Sequence, residues 1–93
     1  MTVQTLRNHG HRRTRLEIVS DILELALRGT RKTHIMYRSN LSFEQLEKYL
    51  ALLLSKSLLE LKVTDSGKLY QTSRKGEELL REIDKILKTL DES

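Results

Sequence analysis

The segment from Thr30 to Leu50, TRKTHIMYRSNLSFEQLEKYL, limits the fold most, because it holds two short apolar patterns on either side of a polar turn. Ser42 and Gln45 have the spacing of a capping box and predict the start of a helix that ends near Ser55. Thr30 is expected to cap a shorter helix before the turn. Two short helices joined in this way predict a helix-turn-helix.

A longer helix precedes this unit and a hairpin follows it. Thr14 opens another capping-box pattern, and apolar residues then recur at helical spacing until Gly29. Residues 58–63 alternate as a strand, and the turn at residues 64–67 leads into a returning strand over residues 69–72. Three helices followed by a hairpin predict a winged helix-turn-helix, an α+β fold that is mainly α.

The chain divides into three predicted parts. Residues 1–13 have no apolar period and predict a flexible basic arm, residues 14–73 form the winged helix-turn-helix domain, and residues 74–93 form a last helix. The apolar spacing of that helix is typical of a coiled coil, although such a stripe can also pack on the first helix of its own domain. We expect a homodimer interface made of Leu79, Leu80, Ile83, Ile86, Leu87 and Leu90.

The positive charge is clustered. The net charge is +4, and the excess lies in residues 1–15, which contain arginines and no acid, and in residues 30–42, which contain Arg31, Lys32 and Arg38. Charge patches on small basic proteins can serve solubility alone, but this clustering indicates a polyanion as partner.

Other functional classes have little support. Without cysteine, the chain has no disulfide, no zinc–thiolate site and no cysteine nucleophile. His9 and His11 lack an obvious third metal ligand, and His34 has no serine or cysteine partner at a catalytic spacing. We predict no enzymatic activity, metal, cofactor or small-molecule substrate. No apolar run is long enough for a membrane span, so we expect a cytoplasmic, nucleoid-associated protein without a membrane partner.

Three segments resemble one known family. KTHIMYRSNLS at residues 32–42, LEKYLALLLSKSLLE at residues 46–60 and YQTSRKGEELL at residues 70–80 are similar to the small archaeal winged-helix proteins of the chromatin type. The resemblance implies double-stranded DNA binding, an archaeal source and dimerisation through an antiparallel coiled coil. In two positions the chain departs from the family, which usually has glycine at Ser57 and often leucine at Thr72. The last helix is also short for the family.

The predicted DNA-binding surface combines the third helix, the wing and the arm. Phe43, Leu46, Leu50, Leu53 and Leu54 are expected to face inward. Outward polar groups can then contact base edges, while flanking residues contact phosphates and compensate the two glutamates. The predicted set is Arg7, Arg12, Arg13, Arg31, Lys32, Tyr37, Arg38, Ser39, Asn40, Ser42, Glu44, Gln45, Glu47, Lys48, Lys62, Ser66 and Lys68.

Two questions stay open at the level of sequence. A DNA-binding protein of this kind can be a sequence-specific transcription regulator or a general chromatin protein, which differ in the ratio of specific to non-specific affinity. In the alternative class, the acidic third helix docks a basic protein partner and the arm is incidental. RNA binding is a lesser option, because the few aromatic residues offer no stacking platform.

Overall fold

The computed structural model describes residues 13–91. In chain order these form helices α1 (Arg15–Leu25), α2 (Lys32–Ser39) and α3 (Phe43–Ser55), strands β1 (Leu59–Thr64) and β2 (Gly67–Thr72), and helix α4 (Arg74–Asp91). The two strands pair in an antiparallel hairpin. This order confirms the predicted winged helix-turn-helix and its mainly helical character. None of the helices among these residues has the length and apolar character needed to cross a membrane.

Side-chain caps fix three of the four helix starts. Thr14 and Ser42 each form the complete capping box predicted for them. The Ser73 hydroxyl accepts a hydrogen bond from the Gly76 amide at 3.0 Å. Caps of this kind typically contribute about 1 kcal/mol each.

Helix α2 begins differently from the prediction. Arg31 occupies its N-cap position without a side-chain hydrogen bond, so the prediction that Thr30 caps the helix is wrong. The main chain of Thr30 instead pairs with Tyr70 of β2, through hydrogen bonds of 2.9 and 2.8 Å. Thr30 is therefore a one-residue strand on the inner edge of the hairpin.

The core lies between α1, α2, α3, the base of the hairpin and the first half of α4. Its fully buried members include Ile22, Leu23, Ile35 and Leu46. Thr72, where the family often has leucine, is also buried, and its hydroxyl donates to the Leu23 carbonyl at 2.6 Å. That bond satisfies the polar group inside the core and ties the end of β2 to α1.

The connection from α3 to β1 depends on a residue in a left-handed conformation. Ser57 has a φ of 61°, which costs a residue with a side chain about 1–2 kcal/mol. This conformation explains why the resembling family usually has glycine there. Helix α4 packs directly on the same connection, since a Cβ atom added to Gly76 would lie 2.2 Å from the Leu58 carbonyl oxygen.

Replacing Ser57 with glycine is expected to raise the free energy of unfolding by about 1 kcal/mol, because the left-handed strain disappears while some backbone freedom is gained in the unfolded chain. Urea denaturation measures the change. Ser55→Gly, at the last residue of α3, is the control and should destabilise by roughly 0.5 kcal/mol. Equal effects of the two substitutions would contradict the role given to Ser57.

Candidate nucleic-acid interface

The outer side of α3 is polar, as expected for a helix that contacts a groove. Its inner side is fixed by the buried Leu46, Leu50 and Leu53. The opposite side of the helix exposes four residues, Glu44, Gln45, Lys48 and Ala51. The Gln45 side-chain oxygen accepts from the Ser42 amide at 3.1 Å, so its amide nitrogen is the part directed to other partners.

Phe43 is the exception to the predicted inward set. Its side chain is 59% exposed, whereas Leu41, two residues earlier, is buried in the core. The prediction that Phe43 faces inward is wrong, because the residue lies at the first position of α3, where helical periodicity does not ensure a core on that side. Its position directly after the capping Ser42 was the signal in the sequence that could have indicated this.

Lys32 at the start of α2 joins Phe43 and Glu47. Its ammonium group forms an ion pair with the Glu47 carboxylate and lies 5.4 Å from the centre of the Phe43 ring. Phe43 and Glu47 are four residues apart on α3 and so share one side of that helix. The hydrogen bond with Glu47, together with the nearby Tyr70, raises the pKa of Lys32 above its ordinary value of 10.5. One of the two glutamates on the helix is thus neutralised within the protein.

Arg31 joins α2 to the tip of the wing. Its guanidinium donates to the Ser66 carbonyl at 2.8 Å. Gly67, with a φ of 118°, allows the tight turn that presents this carbonyl. One Arg31 nitrogen is used in this bond, and the guanidinium carries five N–H donors in total. The wing and α2 are therefore held together by a group that can still face a phosphate.

The hairpin places its two lysines on opposite faces. Lys68 pairs with Val63 and Lys62 pairs with Leu69 in the antiparallel register. Because directly paired residues share a face and neighbours in a strand alternate, Lys62 and Lys68 point to different sides of the wing. Lys68 shares its face with Tyr70, whose side chain is buried in the core. Both lysines are exposed.

The remaining predicted residues are distributed unevenly. Four of them, Tyr37, Arg38, Asn40 and Ser42, are exposed around the turn between α2 and α3. Ser66 is exposed in the turn of the wing. Ser39 is fully buried, so its hydroxyl does not reach the surface. Arg13 contacts Asp21 at 2.5 Å and donates to the Ser39 carbonyl. It therefore braces the start of α1 against the end of α2. Arg7 and Arg12 lie outside the described residues.

The predicted dimer residues also fall into two groups. Leu80, Ile83 and Leu87 are buried within the chain, whereas Ile86 and Leu90 are 47% and 67% exposed. Leu79 is half-buried and lines an apolar groove with Leu16, Val19 and Leu52. One side of the apolar stripe on α4 thus packs against the domain, and the other side is exposed to solvent.

Comparison with known proteins identifies the family. A sequence profile of winged helix-turn-helix proteins matches residues 12–91. The chain belongs to the winged helix-turn-helix family. Among solved structures, it is similar to Sso10a-2, a DNA-binding protein from Sulfolobus solfataricus. That similarity has a TM-score of 0.76 and 27% identity, and covers 83% of this chain and 81% of that chain. Comparison with curated protein sequences gave no match.

These comparisons confirm the predicted resemblance to small archaeal winged-helix proteins. Within the winged helix-turn-helix family, α3 holds the position of the helix that enters a groove, and the hairpin is the wing. Lys32 contacts two residues of this helix, and Arg31 beside it is hydrogen-bonded to the wing turn.

A double-mutant cycle on Lys32→Gln and Glu47→Gln should give a coupling of about 0.5 kcal/mol in the free energy of unfolding, because both side chains are partly exposed and water screens the pair. Since the pKa of Lys32 is raised, the coupling should be complete from neutral pH up to about pH 10.5 and disappear as the pH rises through the higher folded value. Urea denaturation of the four proteins measures it. A coupling that is absent at neutral pH would contradict the ion pair.

Proposed function

We propose that this protein binds double-stranded DNA as a homodimer, through the surface formed by α2, α3 and the wing. It then acts as a transcription regulator or a chromatin-type protein associated with the nucleoid in the cytoplasm. Its fold and its likeness to a DNA-binding protein from Sulfolobus solfataricus support this proposal.

The ion pair between Lys32 and Glu47 is the observation that carries the proposal. A carboxylate on a recognition helix would repel phosphates if it were uncompensated. Here Glu47 is compensated by a lysine of α2, and other lysines and arginines on this surface stay exposed. These are Arg31, Arg38, Lys48, Lys62 and Lys68.

The chemistry of the side chains on this surface determines which of them suit phosphates and which suit base edges. Arg31, Arg38 and the wing lysines are suited to phosphates, which determine affinity and register. Gln45, Lys48 and Glu44 lie on the outer side of α3 and are suited to base edges in the major groove. Tyr37 and Asn40, exposed at the turn, can add hydrogen bonds to the backbone.

The alternative, a protein-docking surface on an acidic α3, receives less support. Such a surface needs accessible negative charge, and Glu47 is already paired within the chain. Glu44 alone would attract a basic partner only weakly, because the exposed Lys48 lies close to it and carries the opposite charge.

A homodimer through α4 is supported by the exposed side of its apolar stripe. Ile86 and Leu90 lie in solvent at the far end of the helix, and the groove beside Leu79 extends this apolar surface toward α1 and α3. Two heptads alone form a marginal coil, so this groove would add the remaining contact area.

Charge reversal of the wing should reduce the dependence of DNA affinity on salt. We expect Lys62→Glu/Lys68→Glu to weaken binding to a mixed-sequence duplex and to lower the slope of log K against log salt by about 2, as two phosphate contacts are lost. Fluorescence anisotropy over a salt series measures the slope. The single variants Lys62→Glu and Lys68→Glu show how much each face of the wing contributes to the slope.

Arg81→Glu/Lys88→Glu is the matched control for this experiment. Both residues are exposed on α4, and the variant changes the net charge by the same amount. Its salt slope should stay near that of the wild type. If wild-type protein binds no duplex even at low salt, the proposed function is wrong, and a basic protein partner for α3 becomes the better explanation. A large preference for one selected sequence would favour a regulator over a chromatin protein.

Replacement of the exposed end of the stripe should abolish the dimer. Ile86→Glu/Leu90→Glu introduces four like charges into a two-fold interface, so we expect a monomer by sedimentation equilibrium at concentrations where the wild type is dimeric. The variant Arg81→Glu/Lys88→Glu should remain a dimer. A wild-type protein that sediments as a monomer would contradict the proposed assembly.

A further inference from the structure

We propose that Phe43 reads the 5-methyl group of thymine and thereby gives the recognition helix a preference that its polar side chains do not provide. This proposal rests on DNA binding by the surface described above. It concerns a side chain that the apolar pattern of α3 assigns to the core and that the structure exposes to 59%.

Phe43 lies where a base edge would be within reach. It is the first residue of α3, directly after the capping Ser42. In helix-turn-helix proteins the N-terminal residues of the recognition helix are the ones that contact base edges. The neighbouring Ser42 and Glu44 are exposed polar residues, so Phe43 is an apolar group within a surface suited to DNA.

The ring is held in place from one side. The Lys32 ammonium lies 5.4 Å from the ring centre, and the Glu47 carboxylate one helical turn away fixes that ammonium. A cation over an aromatic face is attracted by the negative charge of the ring face and so favours this arrangement of the side chain. An exposed phenylalanine without such a contact would sample several rotamers, whereas this one is organised before a partner arrives.

The chemistry of the groove then selects the partner group. Among the four base pairs, the major groove presents one apolar group, the thymine methyl, and apolar side chains contact it. The ring face or edge not covered by Lys32 can bury that methyl, while the pairing of Lys32 with Glu47 compensates the carboxylate that would otherwise repel nearby phosphates. The cluster of Lys32, Phe43 and Glu47 thus combines an apolar reader with its own counter-charges.

A contact between protein subunits does not account for Phe43. The apolar groove of α1, α3 and α4 includes Leu52, which lies about 14 Å farther along α3 at the usual rise per residue. Ile86 and Leu90 belong to α4, which packs on α1. Phe43 is therefore separate from the surface proposed for dimerisation.

The test compares thymine with uracil, which differs only by the methyl group. Wild-type protein and the variants Phe43→Ala and Phe43→Leu are titrated by fluorescence anisotropy with a duplex of alternating adenine and thymine, and with the same duplex containing uracil. We expect the wild type to bind the thymine duplex about fourfold more tightly per buried methyl. Phe43→Ala should lower this ratio to about one, and Phe43→Leu should retain most of it.

Tyr37→Ala is the control for a general loss of affinity. Tyr37 is a second exposed aromatic side chain, on the outer side of α2, and its replacement should change binding to both duplexes equally. Thermal unfolding of each variant checks that the fold is intact, which is expected because both side chains are exposed.

The possible failures have different meanings. Salt-dependent binding of the wild type with equal affinity for both duplexes would overturn the role of Phe43 and leave the proposed function intact. A thymine preference that persists in Phe43→Ala would also overturn it, since the methyl would then be read elsewhere. Absence of binding to either duplex at low salt would remove the proposed function and this inference together.

Discussion

Two main-chain hydrogen bonds between Thr30 and Tyr70 join the helical half of the domain to the hairpin. Because Arg31 and Lys32 follow Thr30 directly, the same pairing determines where α2 begins and where these two cations lie. The hydrogen bond from the Thr72 amide to the Ala26 carbonyl, at 2.9 Å, extends the connection to the end of α1. The position of the hairpin relative to α1 and the start of α2 therefore follows in large part from backbone pairing.

Electrostatic compensation near the start of α3 explains how the helix proposed to contact DNA can carry an acidic side chain. Lys32 pairs with Glu47 inside the surface, and Arg31 spans the distance to the wing turn. The pair is partly exposed and contributes little to stability. In the DNA complex proposed above, the charge pattern would present basic side chains at the edges of the surface and neutral or polar groups along the helix. Such an arrangement permits discrimination between bases without a strong, sequence-independent attraction at the centre.

Local patterns predicted the elements well, because capping and short-range periodicity depend on neighbours in the chain. The boxes at Thr14 and Ser42 gave correct helix starts. The failure at Thr30 arose because a tertiary partner, Tyr70, takes up its main-chain groups. Phe43 was misassigned because helical periodicity says which residues share a side, but not whether the core extends to the first turn.

The candidate site was less accessible to sequence analysis, for related reasons. The apolar periodicity of α4 is the same whether the stripe packs on its own domain or on a partner. In the structure Ile83 packs within the domain, whereas Leu90 is exposed. The burial of Ser39 and the bracing role of Arg13 depend on contacts between α1 and α2 that no local pattern encodes. Residue type indicated a cationic surface, and only the fold indicated which cations already have partners.

The hairpin has an edge whose chemistry affects how copies of the protein can associate. Within the described residues, β2 pairs with β1 on one side and with Thr30 on the other, so the outer edge of β1 has no strand beside it. An open edge is a template for strand addition and aggregation. Glu60 and Lys62 place charges along this edge and β1 ends at Thr64, directly before the turn, so a second chain would have to bury ions to extend the sheet. These charges thereby disfavour self-association through the wing, in keeping with the homodimer proposed above through α4.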